Sequence, residues 1–499
     1  MAIPPTVAAS SLKFLLGSEP QELHGFDPQM TVLEWLRTRA HRTGTKEGCA
    51  EGDCGACTVA VGELHQGQIR YRAYNSCIQL LPTLDGRQLV TVEDLAASSL
   101  ETGGLHPVQQ AMVDQHGSQC GFCTPGFVMS LFTLFHEKQG EEPPGKMEID
   151  ASLAGNLCRC TGYAPIVRAA EQAIDGSDSD AFIRDQKVFS KALAGMQRSE
   201  MLDAEFNGSR FFAPRNLAEL WTLLDQFPQA QLIAGATDVG LWMTKALQQF
   251  DAIIYLCEVQ ELKRLDLVEA ENTLVIGAAV SYTDAFDALV EHFPGIHSML
   301  KRLGAEQVRN AGTIGGNIAN GSPIGDMPPA LIPLGASLLI GSSAGQREIP
   351  LEDFFVEYGK QDLNQGECVL AISIPLPDSE QKYAVYKLSK RFDQDISSVC
   401  AGFALTLKDE LVDHVRICFG GMAGTPLRAK ATEQALQGKP WSHDTLETAR
   451  EALARDYSPL SDWRASREYR LLAAQNLLQR FFLETTGGEA VQVSPGASA

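Results

Sequence analysis

Eight of the 12 cysteines lie in two sets before residue 161. The first set consists of Cys49, Cys54, Cys57 and Cys77. Four and two residues separate its first three members, which is the spacing of plant-type ferredoxins that bind a [2Fe–2S] cluster. Small residues at this loop would let the backbone wrap closely around a cluster. They are Gly48, Gly52, Gly55 and Ala56. Four thiolates can also bind a structural zinc ion, although zinc sites usually use two closely spaced pairs.

The second set also predicts a metal cluster, although its spacing is less specific. It consists of Cys120, Cys123, Cys158 and Cys160. A helical pattern follows each pair, with Thr124 and Pro125 as the expected N-cap and first residue of one helix. Two helix N-termini would direct their positive ends at an anionic cluster. Cys120 and Cys123 alone could form a thioredoxin-like redox pair, but no βαβ pattern surrounds them.

The other four cysteines are each isolated in an apolar, strand-like run. They are Cys257, Cys368, Cys400 and Cys418. A single cysteine in such a run usually behaves as a small hydrophobic residue of the core. We therefore predict no metal-binding role for these four.

Composition restricts the class of protein further. The chain has 499 residues, of which 44% are hydrophobic and 21% charged, so it is globular and long enough for about three domains. Its net charge of −21 argues against a nucleic-acid partner. No apolar run reaches the length of a membrane helix, and we see no secretory signal. We expect a cytoplasmic protein whose clustered thiols bind metal rather than form disulfides.

The pattern of elements changes along the chain. A helix is expected over 30–39, before the first cysteine loop, and a strand over 58–61, after it. Residues 176–205 are interpreted as a linker with a helical stretch near 183–195. From about residue 206, short strands alternate with helices.

Two glycine-rich runs could approach a phosphate-containing ligand. One, residues 234–240, follows a predicted strand and precedes a helix, although an ordinary turn explains it equally well. The other, residues 310–317, continues to Gly321 and Gly325, and its glycine density favours close approach of a ligand. Neither run is a Rossmann or Walker A motif.

The segments SQCGFCTPGF (118–127) and GNLCRCTGYAPI (155–166), together with the ferredoxin-like loop, resemble the xanthine dehydrogenase/oxidase family. The resemblance covers all eight cysteines and places Gln119 and Arg159 beside them. It implies an α+β multidomain fold. The expected parts are a β-grasp ferredoxin-like [2Fe–2S] domain (10–95), a helical [2Fe–2S] domain (96–175), the linker (176–205), an α+β FAD-binding domain of the vanillyl-alcohol-oxidase (PCMH) type (206–380) and a small α+β C-terminal flavoprotein domain (381–488).

The same resemblance implies which residues contact FAD. They are Leu232, Ile233, Ala234, Gly235, Ala236, Thr237, Asp238, Val239, Leu303, Thr313, Ile314, Gly315, Gly316, Asn317, Asp326, Val369 and Lys387. Leu303 occupies a position where the family often has an aromatic residue. Tyr358 is either on the nicotinamide side of the flavin or an aromatic residue of the core. Residues 390–397 resemble a loop that influences whether NAD⁺ or dioxygen accepts the electrons.

For function, the resemblance implies a subunit that transfers electrons through two [2Fe–2S] clusters to FAD and on to NAD⁺. The substrate site would lie on a molybdenum-cofactor-binding large subunit, in a heterotetramer of two small and two large subunits that oxidises hypoxanthine and xanthine to urate. Three alternatives stay open: the equivalent subunit of an aldehyde or N-heterocycle hydroxylase, a flavoprotein reductase that runs the same path in reverse from NADH, and a zinc-binding scaffold without catalysis.

Overall fold

The computed structural model describes residues 10–98, 104–174 and 180–487, so residues 176–179 of the predicted linker lie outside it. The described residues divide between two compact units. The first unit takes its residues from Met1–Gln260 and Gly304–Gly312, and the second from Glu261–Leu303 and Thr313–Ala499. This division passes through the predicted domain 206–380. The boundaries of the predicted domains stay predictions.

Strands and helices of the described residues confirm an α+β architecture. The strands are β1 Ser11–Leu16, β2 Glu19–His24, β3 Thr58–His65, β4 Gln68–Asn75, β5 Gln88–Val90, β6 Leu202–Phe206, β7 Ser209–Ala213, β8 Gln231–Ile233, β9 Ala252–Tyr255, β10 Leu265–Val268, β11 Thr273–Gly277, β12 Ser337–Ser342, β13 Gly345–Pro350, β14 Phe355–Glu357, β15 Lys360–Gln361, β16 Cys368–Pro375, β17 Lys382–Leu388, β18 Val399–Lys408, β19 Leu411–Gly420 and β20 Leu427–Arg428. The helices are α1 Val32–Thr38, α2 Val92–Ser98, α3 Pro107–Asp114, α4 Thr124–Glu137, α5 Lys146–Leu153, α6 Ala164–Ala173, α7 Ala181–Arg184, α8 Gln186–Met196, α9 Leu217–Gln226, α10 Val239–Thr244, α11 Tyr282–His292, α12 His297–Arg302, α13 Glu306–Ala311, α14 Ile314–Ala319, α15 Met327–Leu331, α16 Lys430–Leu436, α17 His443–Asp456 and α18 Arg467–Thr485. Within the described ranges, no helix is both long enough and apolar enough to cross a membrane.

The first unit contains a mixed five-stranded sheet that is buried on both faces. Its strand order is β2-β1-β5-β3-β4, with β1 and β5 parallel. Because alternate residues of a strand point to opposite faces, Phe14 and Val59 pack with Trp35 of α1 on one side. Leu15 and Ala60 pack on the other side, in the core of α3, α4 and α6. The sheet therefore shares a core with the helices that carry the second cysteine set.

A second sheet of the first unit has the order β6-β7-β9-β8, in which β9 runs parallel to β7 and β8. The second unit has a five-stranded sheet of order β10-β11-β16-β12-β13 and a four-stranded sheet of order β17-β18-β19-β20. A two-stranded hairpin, β14-β15, belongs to the same unit. Large apolar cores underlie α11, α12, α14 and α15, and α16 to α18.

Two details differ from the sequence predictions. Helix α4 begins at Thr124 with Cys123 as its N-cap, so Thr124 is the first helical residue rather than the cap. Cys257 is half-buried in a short 3₁₀ turn after β9, not in a strand. The other three isolated cysteines are buried in strands, where burial raises the pKa of the Cys368 thiol to about 12.

A buried hydrogen-bonded cluster attaches the first described residue of the predicted linker, Asp180, to the helical part of the first unit. The Asp180 carboxylate accepts hydrogen bonds from His106 Nε2 at 3.0 Å, His136 Nε2 at 2.9 Å and the Ile183 backbone N–H at 2.8 Å. His106 Nδ1 accepts from the Val108 N–H, so its proton is on Nε2. Burial opposes ionisation, but the two histidine hydrogen bonds hold the pKa of Asp180 below its ordinary value.

We predict that Asp180→Asn lowers the free energy of unfolding by about 2–3 kcal/mol at pH 7, the scale of losing buried hydrogen bonds to a charged group. The folded carboxylate has the lower pKa. Its contribution is therefore complete above the pKa of an unfolded Asp, about 4, and is lost as the pH falls through the folded value. Urea titrations from pH 7 to pH 3 measure both effects. Asp185→Asn, at an exposed position, is the control, and equal stability of the two variants would contradict the prediction.

Candidate cofactor sites

The first cysteine set is assembled by the β3–β4 hairpin and the loop before it. Cys57 directly precedes β3 and Cys77 follows β4, and the pairing of Thr58 with Asn75 places these strand ends side by side. Side-chain hydrogen bonds connect the four thiols in a chain. Their order is Cys54, Cys49, Cys77 and Cys57. All four cysteines of the predicted set are therefore brought together.

Glycine residues allow this loop to fold closely around the sulfurs. Gly52 and Gly55 have φ values of +76° and +68°, a region that glycine adopts without strain. A Cβ on Gly48 would lie 2.8 Å from the Cys54 Sγ. The Cys54 N–H donates to the Cys49 Sγ at 3.4 Å. Hydrogen bonds from Cys54 and Cys77 hold the pKa of Cys49 below its ordinary value, and the same hydrogen bonds raise the pKa of Cys54 and of Cys77.

The second cysteine set is assembled beside two helix N-termini. Side-chain hydrogen bonds pair Cys120 with Cys160 and Cys123 with Cys158, so each pair takes one cysteine from each loop. Cys123 caps α4, and α6 begins at Ala164, four residues after Cys160. The two outer cysteines, Cys120 and Cys160, are exposed, and the two inner ones are half-buried.

Nearby polar groups hold the second of these loops. The Cys158 N–H donates to the Tyr163 hydroxyl at 3.0 Å, and the Cys158 Sγ lies 3.2 Å from the Thr161 Oγ1. Tyr163 has a φ of +67°, uncommon for a residue with a side chain. Gln119 and Arg159, expected beside the ligands, are exposed.

The arrangement of the thiols in the second set fits a binuclear cluster. A structural zinc ion needs four ligands around one point, whereas a [2Fe–2S] cluster divides four thiolates between two irons. Each of the two thiol pairs takes one cysteine from each loop, as such a division requires.

The two cysteine loops touch each other through backbone. The Leu157 N–H donates to the Cys54 carbonyl at 3.0 Å, so a single hydrogen bond joins a residue of the first set to the neighbour of Cys158. A Cβ on Gly126 would lie 2.1 Å from the Gly55 carbonyl oxygen. A side chain at position 126 would therefore keep the backbones apart, and the glycine allows the two loops to lie at short range.

The first group of predicted FAD residues lies in the first unit. Leu232 and Ile233 end β8, Ala234 to Asp238 form the loop and Val239 begins α10. A Cβ on Gly235 would lie 1.9 Å from the Ala311 carbonyl oxygen. The fold itself thus requires this glycine, and the contact of 232–239 with FAD stays a prediction.

The second group lies in the second unit, where two adjacent glycines differ in their surroundings. Thr313 caps α14, and its Oγ1 accepts from the Gly316 N–H at 2.9 Å. A Cβ on Gly315 would lie 2.5 Å from Ala278, whereas a Cβ on Gly316 would meet only the Thr313 Oγ1, at 2.8 Å. Packing therefore excludes a side chain at Gly315, whereas a side chain at Gly316 would displace only the Thr313 hydroxyl. The contact of Gly316 with FAD stays a prediction.

Asp326 and Lys387, both predicted to contact FAD, form a buried ion pair in the second unit. The Lys387 Nζ lies 2.6 Å from the Asp326 Oδ2 and donates to the Ser397 Oγ at 2.8 Å. Ser397 in turn donates to the Asp326 Oδ1 at 2.7 Å. Ser397 ends the loop 390–397, but its bond to this pair gives no distinct signal in the sequence, because its partner Asp326 is 71 residues away.

The remaining predicted residues lie in dissimilar environments. Asn317 accepts a hydrogen bond from the Met327 N–H through its Oδ1. Val369 and Leu303 are buried in the core of the second unit, together with Ile314. Tyr358, between β14 and β15, is 76% exposed, so it is not a core residue. Its nicotinamide role stays a prediction.

Comparison with protein-family models matches four consecutive regions. They are a 2Fe-2S iron-sulfur cluster binding domain over 15–79, a [2Fe-2S] binding domain over 91–171, an FAD binding domain in molybdopterin dehydrogenase over 204–377 and a CO dehydrogenase flavoprotein C-terminal domain over 384–485. The matches follow the order expected from the sequence.

Similar curated proteins are xanthine dehydrogenases. That of Drosophila pseudoobscura pseudoobscura is 32% identical over 86% of this chain, and xanthine dehydrogenase 1 of Arabidopsis thaliana is also 32% identical over 86%. The matches cover 35% and 36% of those proteins. The chain therefore spans about a third of the length of the curated relatives it matches.

Solved structures match about half of the chain. Carbon monoxide dehydrogenase from Hydrogenophaga pseudoflava has a TM-score of 0.52 and 28% identity, over 54% of this chain and 94% of that one. Quinoline 2-oxidoreductase from Pseudomonas putida 86 has a TM-score of 0.51 and 28% identity, over 56% of this chain and 96% of that one.

We predict that substitutions at the two adjacent glycines change different properties, one the stability and the other the affinity for FAD. Gly315→Ala should destabilise the second unit by about 1–3 kcal/mol through overpacking. Gly316→Val should lower the unfolding temperature less than Gly315→Ala, because its Cβ displaces only the Thr313 hydroxyl. It should also weaken FAD binding about tenfold or more, equivalent to about 1.4 kcal/mol. Thermal unfolding of the apo-flavin form and an FAD fluorescence titration measure these effects. Wild-type FAD affinity in Gly316→Val would show that this glycine does not face the cofactor.

Proposed function

We propose that this chain, whose four matched regions are two [2Fe-2S] domains and two flavoprotein domains, is the electron-transfer subunit of a molybdenum hydroxylase. Electrons would enter from a molybdenum-binding partner and pass through two [2Fe–2S] clusters to FAD and then to NAD⁺. The assembly of two four-cysteine sets in one unit, joined by the hydrogen bond from Leu157 to Cys54, is the observation that carries this proposal.

Each part of the site has a defined task in this proposal. The first cluster is bound by Cys49, Cys54, Cys57 and Cys77, and the second by Cys120, Cys123, Cys158 and Cys160. When bound, the clusters carry single electrons, and the flavin converts them into a two-electron transfer. The chain supplies thiolates, backbone N–H groups near the sulfurs, and an open approach at Gly316. The buried pair Lys387–Asp326 supplies a fixed, internally neutralised polar group.

The similar proteins support one substrate. The curated relatives named above are xanthine dehydrogenases, which supports xanthine as the substrate. Hypoxanthine as a further substrate and NAD⁺ as the acceptor are proposed from the resemblance to the xanthine dehydrogenase/oxidase family. Structural similarity to carbon monoxide dehydrogenase and quinoline 2-oxidoreductase supports the second candidate, the equivalent subunit of a hydroxylase with another substrate. In both cases the partner would determine the substrate, and a heterotetramer of two small and two large subunits is the proposed assembly.

The cluster assignment is tested with Cys158→Ser. We predict that the dithionite-reduced wild type shows two distinct one-electron EPR signals, and that this variant loses one of them. Cys257→Ser, which changes a half-buried cysteine outside both sets, should retain both signals. A colourless, iron-free protein with stoichiometric zinc would contradict the assignment and support a zinc scaffold.

The proposed partner is tested by co-purification from the native source. A complex that contains molybdenum and reduces NAD⁺ with xanthine is expected, and the isolated chain should oxidise no xanthine. Xanthine oxidation by the isolated, molybdenum-free chain would contradict the partner. Activity of the complex only with aldehydes or other N-heterocycles would select the second candidate. Oxidation of NADH coupled to reduction of an electron acceptor, without oxidation of any of these substrates, would identify a reductase.

A further inference from the structure

A single buried glutamine connects the two cysteine loops. Gln307 lies in α13, within the segment Gly304–Gly312 that belongs to the first unit. Its side chain is 1% exposed, although the family match places this segment in the FAD binding domain. A segment of the flavin region thus reaches into the iron–sulfur unit.

The side-chain amide of Gln307 faces three acceptors, two of which lie within two residues of a predicted cluster ligand. Its Nε2 lies 3.1 Å from the Thr58 Oγ1, 3.2 Å from the Ser130 Oγ and 3.3 Å from the Asn156 Oδ1. Thr58 directly follows Cys57, and Asn156 lies two residues before Cys158. Ser130 is in α4, about two turns after its cap.

The neighbouring hydrogen bonds determine which end of the amide faces these groups. The Thr58 hydroxyl donates to the Gly55 carbonyl at 2.7 Å, and the Ser130 hydroxyl donates to the Asn156 Oδ1 at 2.7 Å. Both hydroxyl protons are therefore committed, and the two oxygens can only accept. The amide N–H groups of Gln307 donate hydrogen bonds to these two oxygens. A carboxylate at the same position would place its own lone pairs against theirs and would be repelled.

The other end of the amide fills the space between the loops. The Gln307 Oε1 has no hydrogen-bond partner among the described residues. A Cβ on Gly155 would lie 2.0 Å from this oxygen. The glutamine therefore occupies the volume that glycine leaves open, directly beside the backbone contact of Leu157 with Cys54.

From this geometry, and resting on the proposed function, we propose that Gln307 is a positioning residue that sets the separation of the two iron–sulfur clusters and thereby the rate of electron transfer between them. Its amide donates to Thr58, Ser130 and Asn156 rather than to a cysteine. It acts through Thr58 and Asn156, which hold the backbone beside Cys57 and Cys158. Electron transfer slows steeply as the distance between centres grows, so a small shift of one loop is measurable.

The test compares variants of the full chain with its clusters and FAD bound. Gln307→Met keeps the length of the side chain but donates no hydrogen bond, and Gln307→Glu replaces the donor with acceptors. Gln226→Met makes the same change at an exposed glutamine at the end of α9 and serves as the control. Iron content and the visible spectrum first establish that each variant holds both clusters.

Two readouts report the separation of the clusters rather than stability. One is the splitting of the EPR signals that arises when both clusters are reduced and interact magnetically. The other is the rate of electron redistribution between the clusters after flash photoreduction. We expect a smaller splitting and slower transfer in Gln307→Met, a larger loss in Gln307→Glu, and wild-type values in Gln226→Met.

Wild-type splitting and rate in both Gln307 variants would overturn the positioning role while leaving the proposed function intact. Absence of two iron–sulfur signals in the wild type would instead overturn the proposed function, and this inference with it. If the Gln307 variants lose a cluster, Ser130→Ala provides a milder change, because it removes the hydroxyl that accepts from Gln307 and donates to Asn156. A reduced splitting in that variant supports the proposal, and a wild-type splitting overturns it.

Discussion

The close backbone contact between the two cysteine loops is the constraint on which the first unit depends. Gly55, Gly126 and Gly155 each lie where a Cβ would be within 2.2 Å of another group. Without side chains between them, the Leu157 N–H reaches the Cys54 carbonyl. This backbone contact thereby holds the two sets of thiols at short range. Any change that separates the loops would act on both sets at once.

The rest of the first unit makes this contact rigid. Its five-stranded sheet is buried on both faces, and one face shares a core with the helices that carry the second set. Phe132 and Phe135 of α4 surround the buried histidines that bind Asp180. Asp180, the first described residue of the predicted linker, is thus attached to the same core. Interiors packed at this density transmit small displacements instead of absorbing them, so loop geometry follows from the fold around it.

Local patterns in the sequence predicted the thiol sets well, because each set is defined by spacing within short loops. The helices after Cys123 and Cys160 were also predicted, since caps and apolar periodicity are local signals. Gln307 and Ser397 could not be found this way. Gln307 is 249 residues from Thr58, and Ser397 is 71 residues from Asp326. Only the folded chain shows which polar groups become neighbours over such separations.

The central claim is that this chain holds two one-electron clusters and one two-electron flavin, and an anaerobic reductive titration tests it most directly. Dithionite is added to the purified, cofactor-loaded chain while its visible and EPR spectra are recorded. The account predicts an uptake of about four electrons per chain, distributed over two iron–sulfur signals and the flavin. An uptake of about two electrons, with bleaching of the flavin alone, would contradict it.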